Sequence, residues 1–269
     1  MVLKLYVINR VKSNIINSMK YKSFAAILTA VTIEKTYVMK LYDNWEKMTL
    51  PSDEQEYFIT SFESGDKSRK IITASQNLMG MTAAALLSSK VIYNFRPKYL
   101  IMCGIAAGVG REIEQIYGDI IIPDVVWDAS AGKFTSPEKA AIRYGNVGFE
   151  PRPRALYLDK AVKEKIISLA DNTEFRINIG AMACGSYVIA NSEVLNKQIY
   201  PQFPSTIGLD MESYGVFYSA EYSSHPRPKA IIIKGICDYA DEDKSDKYQK
   251  FASYNSSMLT KYLIENVLD

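Results

Sequence analysis

Pro228-Lys229-Ala230-Ile231-Ile232-Ile233-Lys234-Gly235-Ile236-Cys237-Asp238-Tyr239-Ala240-Asp241 decides how this chain is read. Its first half is an apolar, β-branched run and predicts a buried strand. Asp238 then falls where that strand leaves its sheet, and parallel α/β folds take ligands at the carboxyl ends of their strands. Beside Ile236 and Cys237 the carboxyl group is expected to be partly desolvated. Desolvation raises a carboxyl pKa and suits the group to general-acid work. The rival reading is a strand-end aspartate that caps the next helix or turn.

The rest of the chain sets bounds on that reading. Its 269 residues fit one large α/β domain, and 48% hydrophobic with 23% charged residues is ordinary for a globular chain. A net charge of +2 gives no electrostatic reason to expect nucleic acid as a partner. Cys103, Cys184 and Cys237 form no CxxC pair, and an odd count argues against a disulfide framework, so a reducing cytosol is expected. The single histidine, His225, lies in Ser223-Ser224-His225-Pro226 and reads as a loop residue, so neither a multi-His metal site nor a His-centred triad is expected and carboxylates must carry any acid–base chemistry. No apolar run is long enough to span a membrane. Residues 1–23 read as a basic amphipathic extension, with Lys4, Arg10, Lys12, Lys20 and Lys22 among Leu3, Leu5, Val7, Ile8 and Val11. Residues 24–269 read as a single domain.

Strands alternate with helices along that domain. Strands are expected at 24–31, 57–62, 70–74, 99–103, 119–123, 177–182 and 206–209, and helices at 33–45, 80–93, 158–170, 211–222 and 248–267. The sheet is expected to be mostly parallel and covered on both faces. Residues 128–153 are punctuated by Gly132, Pro137, Gly145, Gly148, Pro151 and Pro153 and read as a long binding loop or lid.

Two further stretches carry chemistry. Gly104-Ile105-Ala106-Ala107-Gly108-Val109-Gly110 follows a strand, and its small residues let a backbone approach a ligand; it is neither a P-loop nor a dinucleotide fingerprint. Leu209-Asp210-Met211-Glu212-Ser213 puts Glu212 at a helix start, where it can accept from two vicinal hydroxyls, with Met211 packed on the sugar. Each alone has a plain alternative, a ligand-free turn and a dipole-favoured helix acid respectively.

Taken in order, Gly104–Val109, then Tyr117-Gly118-Asp119-Ile120-Ile121-Ile122-Pro123, then Asp210-Met211-Glu212, then Cys237-Asp238 resemble the purine nucleoside phosphorylase and methylthioadenosine/S-adenosylhomocysteine nucleosidase superfamily. The resemblance runs from about Phe24 to Val267. It implies a three-layer α/β/α sandwich whose mixed, mostly parallel central sheet is partly barrel-like. It implies that Asp238 serves purine N7, that Met211 and Glu212 bind ribose, and that Val188 and Ile189 pack the base. Gly104, Ala106 and Ala107 would line the substrate. Glu34, in Ala30-Val31-Thr32-Ile33-Glu34, would orient an attacking water. The phosphate motif of hexameric phosphorylases is absent from this stretch, which favours hydrolysis over phosphorolysis. Arg143, Arg152 and Arg154 are candidates for phosphates if the substrate is a nucleotide such as ATP. No metal or organic cofactor is implied, and a homo-oligomer is expected. The expected activity is hydrolysis of an adenine nucleoside or nucleotide; the alternatives are a phosphorylase and a catalytically silent nucleoside-sensing module.

Overall fold

The strand expected at 99–103 runs on through the small-residue stretch, from Pro97 to Gly108 (β5). The structure is a computed structural model describing residues 20–51, 53–109, 114–144 and 146–269. Before β5 come β1 (Ser23–Thr29), α1 (Thr32–Met39), β2 (Glu46–Leu50), β3 (Asp53–Ser64), β4 (Lys67–Ser75) and α2 (Met81–Phe95). After it come β6 (Ile120–Asp128), β7 (Gly132–Thr135), β8 (Ile142–Tyr144), β9 (Val147–Pro151), β10 (Ala155–Tyr157), α3 (Lys160–Ala170), β11 (Ile177–Cys184) and β12 (Thr206–Asp210). The chain closes with α4 (Ser213–Glu221), β13 (Lys229–Asp238) and α5 (Gln249–Tyr262).

β5 is the axis of the sheet. It pairs in parallel with β1 on one side and β13 on the other, and its end meets β12 antiparallel at Ala107 and Gly108. β13 also pairs with β6, β6 with β11, and β11 with β12. The path β5–β13–β6–β11–β12 therefore returns to β5, and the mixed sheet curls into a partial barrel at its ligand-bearing end. Helices cover both faces, giving the α/β/α sandwich. The apolar runs explain the layering: Leu100, Ile101 and Met102 of β5 and Ile231, Ile232 and Ile233 of β13 are fully buried, as strands covered on both faces require.

Two glycines bring the layers close enough. A Cβ on Gly215 of α4 would lie 2.3 Å from the Met81 carbonyl oxygen of α2. A Cβ on Gly235 of β13 would lie 2.2 Å from the Ala252 carbonyl oxygen of α5.

Three expectations are corrected. The helix placed at 33–45 ends at Met39, because Lys40 and Leu41 N–H bond the Tyr37 and Val38 carbonyls in a tightened last turn. Residues 46–50 then form an edge strand on β3. The small-residue stretch is no turn up to Gly108; its lack of side chains makes room for neighbours packed against a continuing strand. The long loop at 128–153 holds its own three-stranded antiparallel sheet, β7–β9–β8, in which Phe134 and Phe149 meet at 5.3 Å.

Residues 1–19 of the expected extension lie outside the described residues. Its last residues are already part of the domain: Lys22 N–H donates to Arg96 O at 3.0 Å and Ser23 opens β1. The three cysteines are free and buried, and among the described residues no helix is long and apolar enough to cross a membrane.

The close contact between β13 and α5 makes a sharp test. Gly235→Ala should lower unfolding stability by about 1–3 kcal/mol in urea titration, the cost of inserting a methyl into a filled site. An unchanged midpoint would show that the two backbones are not held this close.

Candidate functional site

A cleft of about 560 Å3 opens at the carboxyl ends of β1, β5, β11, β12 and β13. Glu34, Glu212 and Asp238 all line it, with Ile105, Ala106, Ala107, Val188, Ile189 and Met211. Three carboxylates expected from separate stretches thus face one space, each at least 95% buried.

Glu34 sits in the first turn of α1 and folds back on its own helix start. Ala30 N–H donates to its Oε2 at 2.6 Å and Val31 N–H at 3.1 Å, while Ile105 N–H of β5 donates to Oε1 at 2.9 Å. Gly104 makes this possible: a Cβ there would sit 2.1 Å from Glu34 Oε1. Gly104 is not among the cleft-lining residues, so its part is to admit Glu34 and not to touch a ligand. Burial pushes the Glu34 carboxyl above its usual value; the Lys234 ammonium and the Ala30 and Ile105 N–H groups pull it back, and the Glu212 charge adds to the rise.

Glu212 precedes α4, and its carboxylate reaches the start of a second helix. Gly80, held at φ 111° where only glycine is at ease, donates its N–H to Glu212 Oε1 at 3.0 Å. Lys234 Nζ donates to Oε2 at 3.2 Å. The same ammonium lies 3.4 Å from Asp210 Oδ2, and Asp210 in turn accepts from Ser213 N–H and, at 2.7 Å, Ser213 Oγ. Lys234 is fully buried. Burial works against its charged form, but Glu212, Asp210 and Glu34 outweigh that and hold its pKa above the ordinary lysine value.

Asp238 is aimed by an irregularity in β13. Ile236 pairs with Ala106, but Asp238 pairs with Ala107, leaving Cys237 as the extra residue of a bulge. Bulges re-aim side chains next to sites. Ala240 N–H fixes Asp238 Oδ1 at 3.0 Å; Lys244 Nζ and the Cys237 thiol both donate to Oδ2, at 2.5 and 3.3 Å. Burial, then the Asp238 charge, push the Cys237 thiol up, so it stays a protonated donor. Cys237 also lines the cleft.

Met211 is half-buried on the cleft wall; Ile189 is buried while Val188 is 58% exposed at the mouth. None of Arg143, Arg152 and Arg154 lines the cleft. The segment that carries them is occupied by its own sheet and by the β6–β10 edge: Arg143 lies in β8, Arg152 N–H bonds Ala131 O, and Arg154 O accepts from Asp128 N–H. Among the described residues no group of His, Cys, Asp and Glu is arranged to hold a metal ion.

Sequence reasoning gave no role to Lys234, Lys244 or Asp210. Lys234 did carry a signal, since a lysine inside an apolar strand run must find a carboxylate. Lys244 and Asp210 take their meaning from the ion pairs they make with Asp238 and Lys234. Replacing Lys234 with methionine (Lys234→Met) should destabilise the protein by about 3–5 kcal/mol, because two buried carboxylates lose their counter-charge. Thermal and urea unfolding would read this; wild-type stability would refute the buried pairing.

The sequence profile of the Phosphorylase superfamily matches residues 27–268. The chain is 27% identical over 243 residues to the uncharacterized protein y4jS of Sinorhizobium fredii, covering 84% of this chain and 57% of that protein. It is 28% identical over 264 residues to the ATP nucleosidase Cap17 of Escherichia coli, covering 87% of this chain and 49% of that one. The chain therefore spans about half the length of these two relatives. It is also 27% identical over 194 residues to the 5′-methylthioadenosine/S-adenosylhomocysteine nucleosidase of Buchnera aphidicola, covering 70% and 77%. Among solved structures, the nucleosidase of that name from Helicobacter pylori superposes with a TM-score of 0.72 at 16% identity, over 91% of this chain and 99% of that one. The futalosine hydrolase of the same organism gives 0.73 at 16%, over 90% and 97%. These structural likenesses concern the fold. The profile match covers nearly the whole described domain: the chain belongs to the Phosphorylase superfamily.

Proposed function

We propose that this chain hydrolyses the N-glycosidic bond of an adenine nucleoside or nucleotide. The observation that carries the reading is the convergence of Glu34, Glu212 and Asp238 on one cleft, each buried and each held by fixed hydrogen-bond donors. Relatives named as an ATP nucleosidase and as methylthioadenosine/S-adenosylhomocysteine nucleosidases support the substrate class.

The reaction is written through these groups. Breaking C1′–N9 leaves positive charge on the sugar and sends the bond's electron pair into the base. Asp238, in its protonated form, gives its hydrogen to purine N7; the Ala240 backbone holds its Oδ1, and Lys244 and the Cys237 thiol flank its Oδ2. Glu212 takes the sugar hydroxyls and stabilises the cationic sugar, with Met211 beside it. Glu34 orients a water toward C1′ and accepts its proton, and its raised pKa makes it a stronger base than an exposed glutamate. Val188 and Ile189 pack the purine. Lys244, which lines the cleft, and Lys234, which holds Glu212, are each ion-paired with site carboxylates, which favours water over phosphate as nucleophile.

Chromatography of adenine release from methylthioadenosine, adenosylhomocysteine, AMP and ATP, each with and without phosphate, tests the reading directly. Release independent of phosphate is expected; release only with phosphate would make the protein a phosphorylase. Asp238→Asn should lower kcat by about 10²–10⁴-fold with the circular dichroism spectrum intact; near-wild-type turnover would remove the aspartate from the chemistry.

The pH profile follows from Glu34. The residue works ionised, and its pKa lies above the usual 4.5. As pH falls, kcat/KM should therefore drop with an apparent pKa above 4.5. An acid limb at or below that value would contradict the base role.

A further inference from the structure

The mechanism uses Asp238 in its protonated form, yet the hydrogens around its carboxyl group all belong to neighbours. Ala240 N–H donates to Oδ1 at 3.0 Å, and Lys244 Nζ and the Cys237 thiol donate to Oδ2 at 2.5 and 3.3 Å. The Asp238 side chain is only 4% exposed, whereas that of Lys244 is 28% exposed. A local reversal of the chain brings the lysine back to the strand end. Ala240 takes the left-handed region at φ 55°, its carbonyl is held by Asn191 N–H at 3.0 Å, and Lys244 N–H donates to Asp241 O at 3.3 Å. Lys244 thus joins a buried carboxyl group to the surface, and it lines the cleft.

Chemistry separates the three donors. Ala240 offers a backbone amide hydrogen, which a carboxylate does not remove. The Cys237 thiol is buried, and burial with the neighbouring Asp238 charge pushes it up, so it keeps its hydrogen. An ammonium is different: a lysine can act as general acid and then recover a proton from solvent. Of the donors on Asp238, Lys244 alone combines an exchangeable proton with a route to water.

We propose that Lys244 is the source of the proton that Asp238 hands to the departing base. The proposal rests on the assignment of Asp238 to purine N7 made above. The proton first crosses from Lys244 to Asp238 Oδ2: the N–H bond breaks with its electron pair left on nitrogen, and an O–H bond forms. As C1′–N9 breaks and its electron pair enters the purine, Asp238 gives this hydrogen to N7. Asp238 is then a carboxylate again and Lys244 a neutral amine, which takes a proton from solvent before the next turnover. Lys244 acts through Asp238 and does not itself touch the purine.

The experiment separates the proton of Lys244 from its charge. Adenine release is followed for wild type, Lys244→Arg and Lys244→Ala on whichever of methylthioadenosine, adenosylhomocysteine, AMP and ATP is cleaved fastest. Arginine keeps a positive charge beside Asp238 but does not part with its proton. Both variants should therefore lose about 10²-fold or more in kcat, with the circular dichroism spectrum and the affinity for 9-deazaadenosine, which has no N-glycosidic bond to cleave, unchanged. Ethylamine should raise the turnover of Lys244→Ala by about tenfold or more, whereas tetramethylammonium, a cation with no proton to give, should not. Lys244→Gln takes the place of the alanine variant if that one does not fold. Near-wild-type turnover in Lys244→Arg overturns the proposal and makes Lys244 a charge that only holds Asp238 in place. Equal repair by the two cations overturns it as well, as does a loss that ethylamine does not repair. A wild type that releases no adenine from any of the four overturns the hydrolase reading and this proposal with it; a wild type that hydrolyses while Lys244→Arg matches it overturns this proposal alone.

Discussion

A fully buried lysine ammonium, Lys234, held between Glu212 and Asp210, is the constraint on which the site depends. Three carboxylates within reach of one another repel, and burial magnifies that repulsion by removing water. Lys234 makes their neighbourhood tolerable. It projects from β13, a strand paired with β5 on one side and β6 on the other. Asp210 caps the start of α4 through Ser213 and touches the same ammonium, so the helix that presents Glu212 is anchored to the strand that presents Asp238.

The fold delivers the remaining parts by close backbone approach. Gly104 admits Glu34 against β5, Gly80 aims an N–H at Glu212, and the bulge at Cys237 turns Asp238 into the cleft. Closure of the sheet through β13–β6 and β12–β5 gathers strand ends that an open sheet would leave spread apart. Chemistry here depends on where side chains are absent as much as on where they are present.

Much of this was legible before the structure. Asp238 stood out at a strand end, whereas Glu34 and Glu212 were singled out by the resemblance to the nucleoside phosphorylase and nucleosidase superfamily; the three do meet in one cleft. The helix at 33–45 was overextended because its apolar spacing continues past Lys40, while edge pairing with β3 captures residues 46–50. The small-residue stretch looked like a turn because glycine signals turns in sequence; here it signals neighbours pressed against a strand. Arg143, Arg152 and Arg154 belong to a segment without long periodic runs that short antiparallel pairing organises, and none of them lines the cleft.

A crystal structure with bound 9-deazaadenosine tests the central claim most directly. The account predicts N7 within about 3 Å of the Asp238 carboxyl group, the sugar hydroxyls on Glu212, and C1′ facing Glu34. A base lying out of reach of Asp238, with the sugar away from Glu212, would contradict it.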